Sequence, residues 1–406
     1  MFRKVIFRLH LSVAVAAGLF IVTMAITGSV IACEDAVMSL AERRRSVAVP
    51  EGARRLPPTD LLAAAEAWGE GAGIPFMATS IEYRPRPGAP VQVHAGRDRR
   101  VFVDPWTGKV VGGGFPFLEG FFEGVRGWHR WLGASGAGVR TGRAVTGAAN
   151  VAFLFLLLTG PLLWIPRRIT RRTLAENLRL RRRARGPARQ LNRHYVIGIW
   201  SVIPLVVISA TGVVLSYPAV GDRVYAVLGA VMPGGVGVEE GAGGAGRGTG
   251  EVWGERAAPD VGGGLGGALV AVGARVPGWR SIVLAVPRPD DGQIVAEART
   301  GRAGQPQKAS VVMVDRGSGT VLSVESFRDD PPGHRAQEFL RYAHTGEYWG
   351  LAGQALAGIF ALATVLMVWT GFSVAMVMLR LRGPLSRRRG RCPREEPGGE
   401  LSGGGG

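Results

Sequence analysis

Four windows of this 406-residue chain carry no charged residue and are long enough to cross a bilayer: Leu9–Ala32, Ala144–Ile165, Tyr195–Ala219 and Leu351–Leu379. About 20 apolar residues span a hydrocarbon layer of roughly 30 Å, and a lone segment inside it satisfies its backbone only as a helix. The chain is therefore expected to be an α-helical integral membrane protein with four transmembrane helices. Its expected divisions are transmembrane helix 1 (1–32), a first polar region (33–143), helix 2 (144–165) and a basic loop (166–194). Helix 3 (195–219), a second polar region (220–350), helix 4 (351–379) and a basic, disordered tail (380–406) follow.

The net charge of +18 is distributed as a topology signal. Arg3, Lys4 and Arg8 precede the first window, and the segment Arg167–Arg193 holds eleven arginines against one acid, Glu176. Arg380, Arg382, Arg387, Arg388, Arg389, Arg391 and Arg394 follow the last window, whereas the two long polar regions are mixed in charge. Cationic segments stay on the cytoplasmic side, so both termini and the middle loop are expected there and the two long regions outside. This placement argues for contact with anionic membrane lipid and against nucleic-acid binding. Cys33 and Cys392 then lie on opposite faces of the membrane, with no disulfide framework. Val30-Ile31-Ala32-Cys33 has the look of a lipoprotein cleavage site, but cleavage there would discard His10, which belongs to a repeat.

That repeat pairs histidines with glycines. His10 precedes Thr27-Gly28 by 17 residues, and His194 precedes Thr211-Gly212 by the same 17. Gly142, Gly147 and Thr159-Gly160 match Gly353, Gly358 and Thr370-Gly371 at a constant offset. His129 and His344 precede these last two stretches. The polar regions repeat as well. Val101-Phe102-Val103-Asp104 with Gly108, and Val312-Met313-Val314-Asp315 with Gly319, each read as a hairpin whose Asp opens the turn and whose Gly supplies a positive φ. Leu61–Trp68 reads as a short helix, with Gly267–Val276 as its counterpart, so each region is expected to be a small α+β module. The glycine-rich stretch 233–267 cannot bury a core and reads as a flexible insertion; its formal GxGxxG at Gly241–Gly246 follows no strand and is explained by composition. The whole is a tandem duplication of span, outer module and span.

The topology places His10 and His194 near the inner face and His129 and His344 near the outer face. Each level thus holds one histidine from each half. Two neutral imidazoles on facing helices are what six-coordinate haem iron needs from a protein, whereas zinc or non-haem iron would ask for further ligands. Seventeen residues of helix rise about 25 Å, which puts Gly28 and Gly212 at the outer pair and, by the same reasoning, Gly160 and Gly371 at the inner pair. Small residues there suit a flat macrocycle or simple helix packing alike. Trp128, Trp131, Tyr348 and Trp349 flank the outer histidines and suit an aromatic belt or packing on a haem. His94 and His334 have no histidine counterpart in the other half and read as surface residues.

The motifs Arg8-Leu9-His10, Trp128-His129-Arg130-Trp131-Leu132, Asn192-Arg193-His194 and His344-Thr345-Gly346 with Gly350–Gln354 resemble the PepSY-associated transmembrane family over nearly the whole chain. The two Asp-x-x-x-Gly hairpins look like PepSY modules. The resemblance implies a dihaem b-type cytochrome of the bacterial cytoplasmic membrane, an iron-uptake-linked reductase of ferric siderophores. It implies His10 with His194 on an inner haem b and His129 with His344 on an outer one. The electron donor would be a quinol or a cytoplasmic reductase. This chain departs from the pattern in its glycine-rich insertion and in having Arg316-Gly317-Ser318 where the first hairpin has Pro105-Trp106-Thr107. The alternative is a membrane-anchored PepSY binding or regulatory protein, a modulator of peptidases without redox activity.

Overall fold

The structure is a computed structural model that describes residues 1–96, 99–166, 169–181, 183–227 and 264–382. Most of the glycine-rich stretch, including its GxGxxG, and the tail from 383 lie outside the described residues. In chain order the elements are α1 (Phe2–Ile31), α2 (Glu34–Arg43), α3 (Pro58–Gly71), β1 (Ser80–Tyr83), β2 (Val91–Ala95), β3 (Arg99–Val103) and β4 (Val110–Gly113). Next come α4 (Pro116–Trp131), α5 (Gly138–Trp164), α6 (Arg171–Leu178), α7 (Gly186–Ser216), α8 (Pro218–Val227) and α9 (Gly264–Arg275). The chain continues with β5 (Ser281–Ala285), β6 (Gln293–Arg299), β7 (Ala309–Asp315), β8 (Val321–Ser326), α10 (Pro332–Thr345) and α11 (Gly350–Arg382).

Helices α1, α5, α7 and α11 contain the four apolar windows and are long and apolar enough to cross a membrane. This is a helical membrane protein with an associated β-sheet domain. Each helix begins ahead of its charge-free window. The stretch 166–194 is not all loop: it contains α6, started by a Thr170–Thr173 capping box, and the first turns of α7. His194 therefore sits within α7 and does not open it. The third window extended to Ala219, but α7 stops at Ser216 because Pro218 has no N–H to continue the ladder and begins α8 instead. Helix α11 runs on to Arg382, so the basic tail starts as helix. Gly264–Gly267, read as part of the insertion, form the first turn of α9.

The four long helices pack in a ring. α1 lies against α5 and α11, and α7 lies against the same two, so α1 and α7 face each other diagonally. Matched glycines set the approach of the shorter helices. A Cβ on Gly142 of α5 would overlap the carbonyl of Trp131 at the end of α4, and one on Gly353 of α11 would overlap the carbonyl of Gly346 at the end of α10. The C-terminal turns of α4 and α10 thus rest directly on the backbone of α5 and α11.

The strands form one antiparallel sheet in the order β4-β3-β2-β1-β5-β6-β7-β8. Each polar region supplies four strands, and the halves join where β1 pairs with β5, Ile81 opposite Leu284. The two hairpins have the same turn chemistry. Asp104 accepts from the Trp106 amide at 2.9 Å, and the Gly108 amide donates to the Asp104 carbonyl with Gly108 at φ 72°. Asp315 accepts from the Ser318 amide at 2.7 Å, and the Gly319 amide donates to the Asp315 carbonyl with Gly319 at φ 69°. Both partner strands carry a register shift just before the Asp.

Strand alternation gives the sheet two unlike faces. Ile81, Tyr83, Val93, Val103, Leu284 and Val312 are buried with Leu61 and Ala65 of α3 and Ala268 and Val272 of α9. The opposite face is charged. There Arg100 of β3 bonds to Glu42 of α2 at 3.0 Å and to Glu119 of α4 at 2.8 Å, while Arg84 bonds to Glu42 at 2.5 Å. Arg45 caps the carbonyls of Gly113 and Gly114 and lies over the Phe115 ring at 4.1 Å. These ion pairs hold the sheet to the helices at the end of the bundle where α1 and α7 finish.

Candidate histidine sites

Each of the four repeat histidines bonds to the threonine of a Thr-Gly pair on a neighbouring long helix. His10 of α1 places Nδ1 2.8 Å from Thr159 Oγ1 of α5. His194 of α7 places Nδ1 3.2 Å from Thr370 Oγ1 of α11 and 3.0 Å from the Met367 carbonyl. At the sheet end, His129 of α4 places Nδ1 3.0 Å from Thr27 Oγ1 of α1. His344 of α10 places Nδ1 3.3 Å from Thr211 Oγ1 of α7 and 2.8 Å from the Ile208 carbonyl. Every one of these contacts joins residues of the same half of the chain.

The threonines settle the tautomer. Each hydroxyl also bonds to the carbonyl four residues back: Thr27 to Thr23 at 2.7 Å, Thr159 to Phe155 at 2.8 Å, Thr211 to Val207 at 2.7 Å and Thr370 to Leu366 at 2.8 Å. That carbonyl takes the hydroxyl proton, so the threonine oxygen offers the imidazole a lone pair. The carbonyls of Met367 and Ile208 can only accept. Nδ1 is therefore the protonated nitrogen in each ring, and Nε2 keeps its lone pair. His129 also bonds to the backbone of Met24.

In three of the pairs the glycine makes room for the ring. A Cβ on Gly28 would stand 3.2 Å from His129 Cε1, one on Gly371 3.3 Å from His194 Cε1, and one on Gly212 2.9 Å from His344 Cε1. Gly160 differs: a Cβ there would meet nothing within 4 Å, so it opens onto space and not onto His10.

The halves meet to bring His129 and His344 together. The rings of His129 and His344 have centroids 6.4 Å apart and planes inclined at 55°. His10, on α1, lies within electrostatic range of His194 on the diagonal helix α7. Burial pushes the His129 imidazole down to about 4, with the charges of His344 and Arg130 adding to the effect, and burial likewise lowers His344. Both sheet-end rings are thus neutral near pH 7. Among the described residues no group of three or more His, Cys, Asp or Glu side chains gathers as a metal site, so the pairs stand by themselves. An imidazole–metal bond of about 2 Å on each side, with each ring centre about 1 Å behind its nitrogen, puts two centroids about 6 Å apart. The 6.4 Å separation of the His129 and His344 centroids is close to that value.

Sequence reasoning did not foresee the carbonyls of Met367 and Ile208, which carry no side-chain signature. It also missed Asn150 and Ser209, which tie α5 to α7 beside Gly212, Ser209 Oγ donating to Asn150 Oδ1 at 2.8 Å. A buried Asn in an otherwise apolar window is the signal that would have found them. Trp128 and Trp349 are 54% exposed, in keeping with an interfacial belt. His94, expected on the surface, is half-buried on β2 with Nε2 3.7 Å from Glu82, while His334 lies 3.4 Å from Asp330. Cys33 is exposed and free; Cys392 lies outside the described residues.

No curated protein matches this sequence. A family model described as the PepSY-associated TM region matches residues 7–376, a stretch that takes in all four long helices, the sheet and all four repeat histidines. The chain belongs to the PepSY-associated transmembrane family.

Proposed function

We propose that the protein carries electrons across the bacterial cytoplasmic membrane through two haem b groups, one held by His10 and His194 and the other by His129 and His344. The observation that carries this reading is the protonation pattern of the histidines. All four rings bond through Nδ1, which leaves Nε2 free to act as a ligand, and the rings of His129 and His344 lie close across the two halves. A hydrogen bond at the far nitrogen is how proteins orient and strengthen an imidazole ligand. The glycines beside the rings supply close approach, and the space at Gly160 suits a flat group. When bound, haem would supply one-electron chemistry, and two axial histidines would leave it no open site for substrate.

The chain reads as a tandem duplication in which each half builds two histidine–threonine grips and one half of a PepSY-like sheet. With the basic loop and both termini on the cytoplasmic side, the His10–His194 pair is the cytoplasmic one and the sheet faces outward. The acceptor is a ferric chelate of the siderophore kind on the sheet side. The donor is a quinol or a cytoplasmic reductase. The protein is then a haem-dependent membrane ferric reductase.

The test is an absorption spectrum of purified protein, oxidised and then reduced, after expression with haem supplied. A reducible b-type spectrum is expected, with roughly half the haem lost in His344→Ala. A colourless protein overturns the reading. Retention of function after replacing all four histidines would favour a binding or regulatory protein instead.

A further inference from the structure

At the end of the bundle away from the sheet, the segment joining α5 to α7 is folded back onto both helices. Asn177 of α6 donates from Nδ2 to the Trp164 carbonyl, and its own carbonyl accepts from Trp164 Nε1, both at 3.4 Å. Trp200 of α7 donates from Nε1 to the Leu178 carbonyl at 3.2 Å. The Arg181 amide donates to Asn192 Oδ1 at 2.8 Å, and Asn192 Nδ2 donates to the Arg179 carbonyl at 3.3 Å. Trp200 stands well inside the charge-free window that opens at Tyr195, and helical side chains lean toward the N-terminus of their helix. Its indole therefore meets α6 level with the first turns of that window. Arg179, next to Leu178, is held at the edge of the hydrocarbon and not out in the aqueous phase.

Charge at this corner is unbalanced. Glu176, the one acid between Arg167 and Arg193, is taken up by Arg172 at 3.1 Å and Arg181 at 3.0 Å. Arg171, Arg179 and Arg183 are exposed and make no ion pair among the described residues. Apolar groups stand beside them. Leu180 is 59% and Trp200 65% exposed, and Leu162 of α5 and Ile203 of α7 are open as well, on two helices that pack together. A guanidinium on such a boundary lays its stem along apolar surface and matches a phosphate with two parallel N–H donors. We infer that this corner seats one anionic phospholipid, its phosphate on Arg179 in the field of Arg171 and Arg183, its acyl chains along Trp200, Ile203 and Leu162. An acidic soluble protein would neutralise the arginines but leave those apolar side chains uncovered, so the lipid is the better match. The backbone bonds from Asn192 and Trp200 fix the site before the lipid arrives, which sets it apart from diffuse attraction to a charged membrane. Nothing in the inference depends on haem.

The test is native mass spectrometry of the full-length protein, delipidated in detergent and titrated with phosphatidylglycerol or with phosphatidylcholine of the same acyl chains. Phosphatidylglycerol should occupy a first site at a several-fold lower concentration than phosphatidylcholine. Arg171→Gln, Arg179→Gln and Arg183→Gln together should abolish that preference. The same three positions changed to Lys should keep most of it, which guards against loss by misfolding. Arg54→Gln, Arg86→Gln and Arg328→Gln, an equal loss of charge from exposed positions in the sheet domain, should leave it unchanged. Equal binding of the two lipids, or an equal loss in the sheet-domain variant, would overturn the inference. So would displacement of the lipid by glycerol phosphate at matching concentration, which would make free phosphate the ligand. Unaltered lipid preference in the Gln variant would also overturn it and leave the arginines to a soluble acidic partner. A colourless protein that keeps the preference would refute the redox reading and leave this one intact.

Discussion

His344 donates from Nδ1 to the carbonyl of Ile208 at 2.8 Å, across the interface between α10 and α7. Nδ1 also lies 3.3 Å from Thr211, and the ring sits on Gly212. One side of the imidazole is thereby satisfied by its own half of the chain, and the other is left to face His129 from the other half.

The grip differs in strength between sites. His10 is held by Thr159, whereas His194 has the Met367 carbonyl as well as Thr370, and His129 the Met24 backbone as well as Thr27. Thr159→Val should therefore weaken haem retention by about 10–100-fold, the usual effect of losing a ligand's supporting bond, and Thr370→Val by less. Haem titration followed in the Soret band checks the order.

Two glycines of the same motif should respond differently to alanine. In Gly212→Ala the new methyl would stand 2.7 Å from Asn150 Nδ2 and 2.9 Å from His344 Cε1, and something has to move. A loss of about 1–3 kcal/mol is expected, as for overpacking in a core. Gly160→Ala meets nothing within 4 Å and should leave the folded chain as stable as before. Thermal unfolding in detergent separates the two.

Acid should loosen the sheet before it reaches the bundle. Burial opposes ionisation of Glu82, but His94, Arg84 and Arg299 outweigh it and hold the carboxyl down at about 2. A depressed carboxyl contributes stability that is complete above its unfolded value and is lost as pH falls towards the folded one. The window is thus from about 4.5 down to about 2, and the contribution is on the order of 3 kcal/mol. Glu82→Gln should flatten sheet stability across that window, read by amide exchange in β1 and β2.

Arg100 joins the sheet to two helices through Glu42 and Glu119. Arg100→Met should cost about 3 kcal/mol, because Glu42 is only 9% exposed and is left with Arg84 alone. Faster amide exchange in α2 and β3, with the four long helices unaffected, is the expected signature.

The four spans were legible because a bilayer demands long charge-free helices, and Leu9–Ala32 or Leu351–Leu379 can be little else. The hairpin turns were legible because Asp104 with Gly108 and Asp315 with Gly319 encode their geometry locally. Helix ends were less so: α7 begins at Gly186 among arginines, where hydropathy says nothing and backbone hydrogen bonding decides. Periodic spacing in the sequence also determined that histidine, threonine and glycine recur together.

Which threonine serves which histidine was decided only by tertiary structure. His10 meets Thr159 and not Thr27, 17 residues ahead on its own helix, because a helix carries those two positions to opposite ends. The joining of two polar regions into one sheet at β1 and β5 is likewise a long-range event, since an unpaired strand edge carries no mark of its eventual partner. The protonation of the histidines was settled last of all, by threonine hydroxyls and backbone carbonyls brought to the rings by how the helices pack.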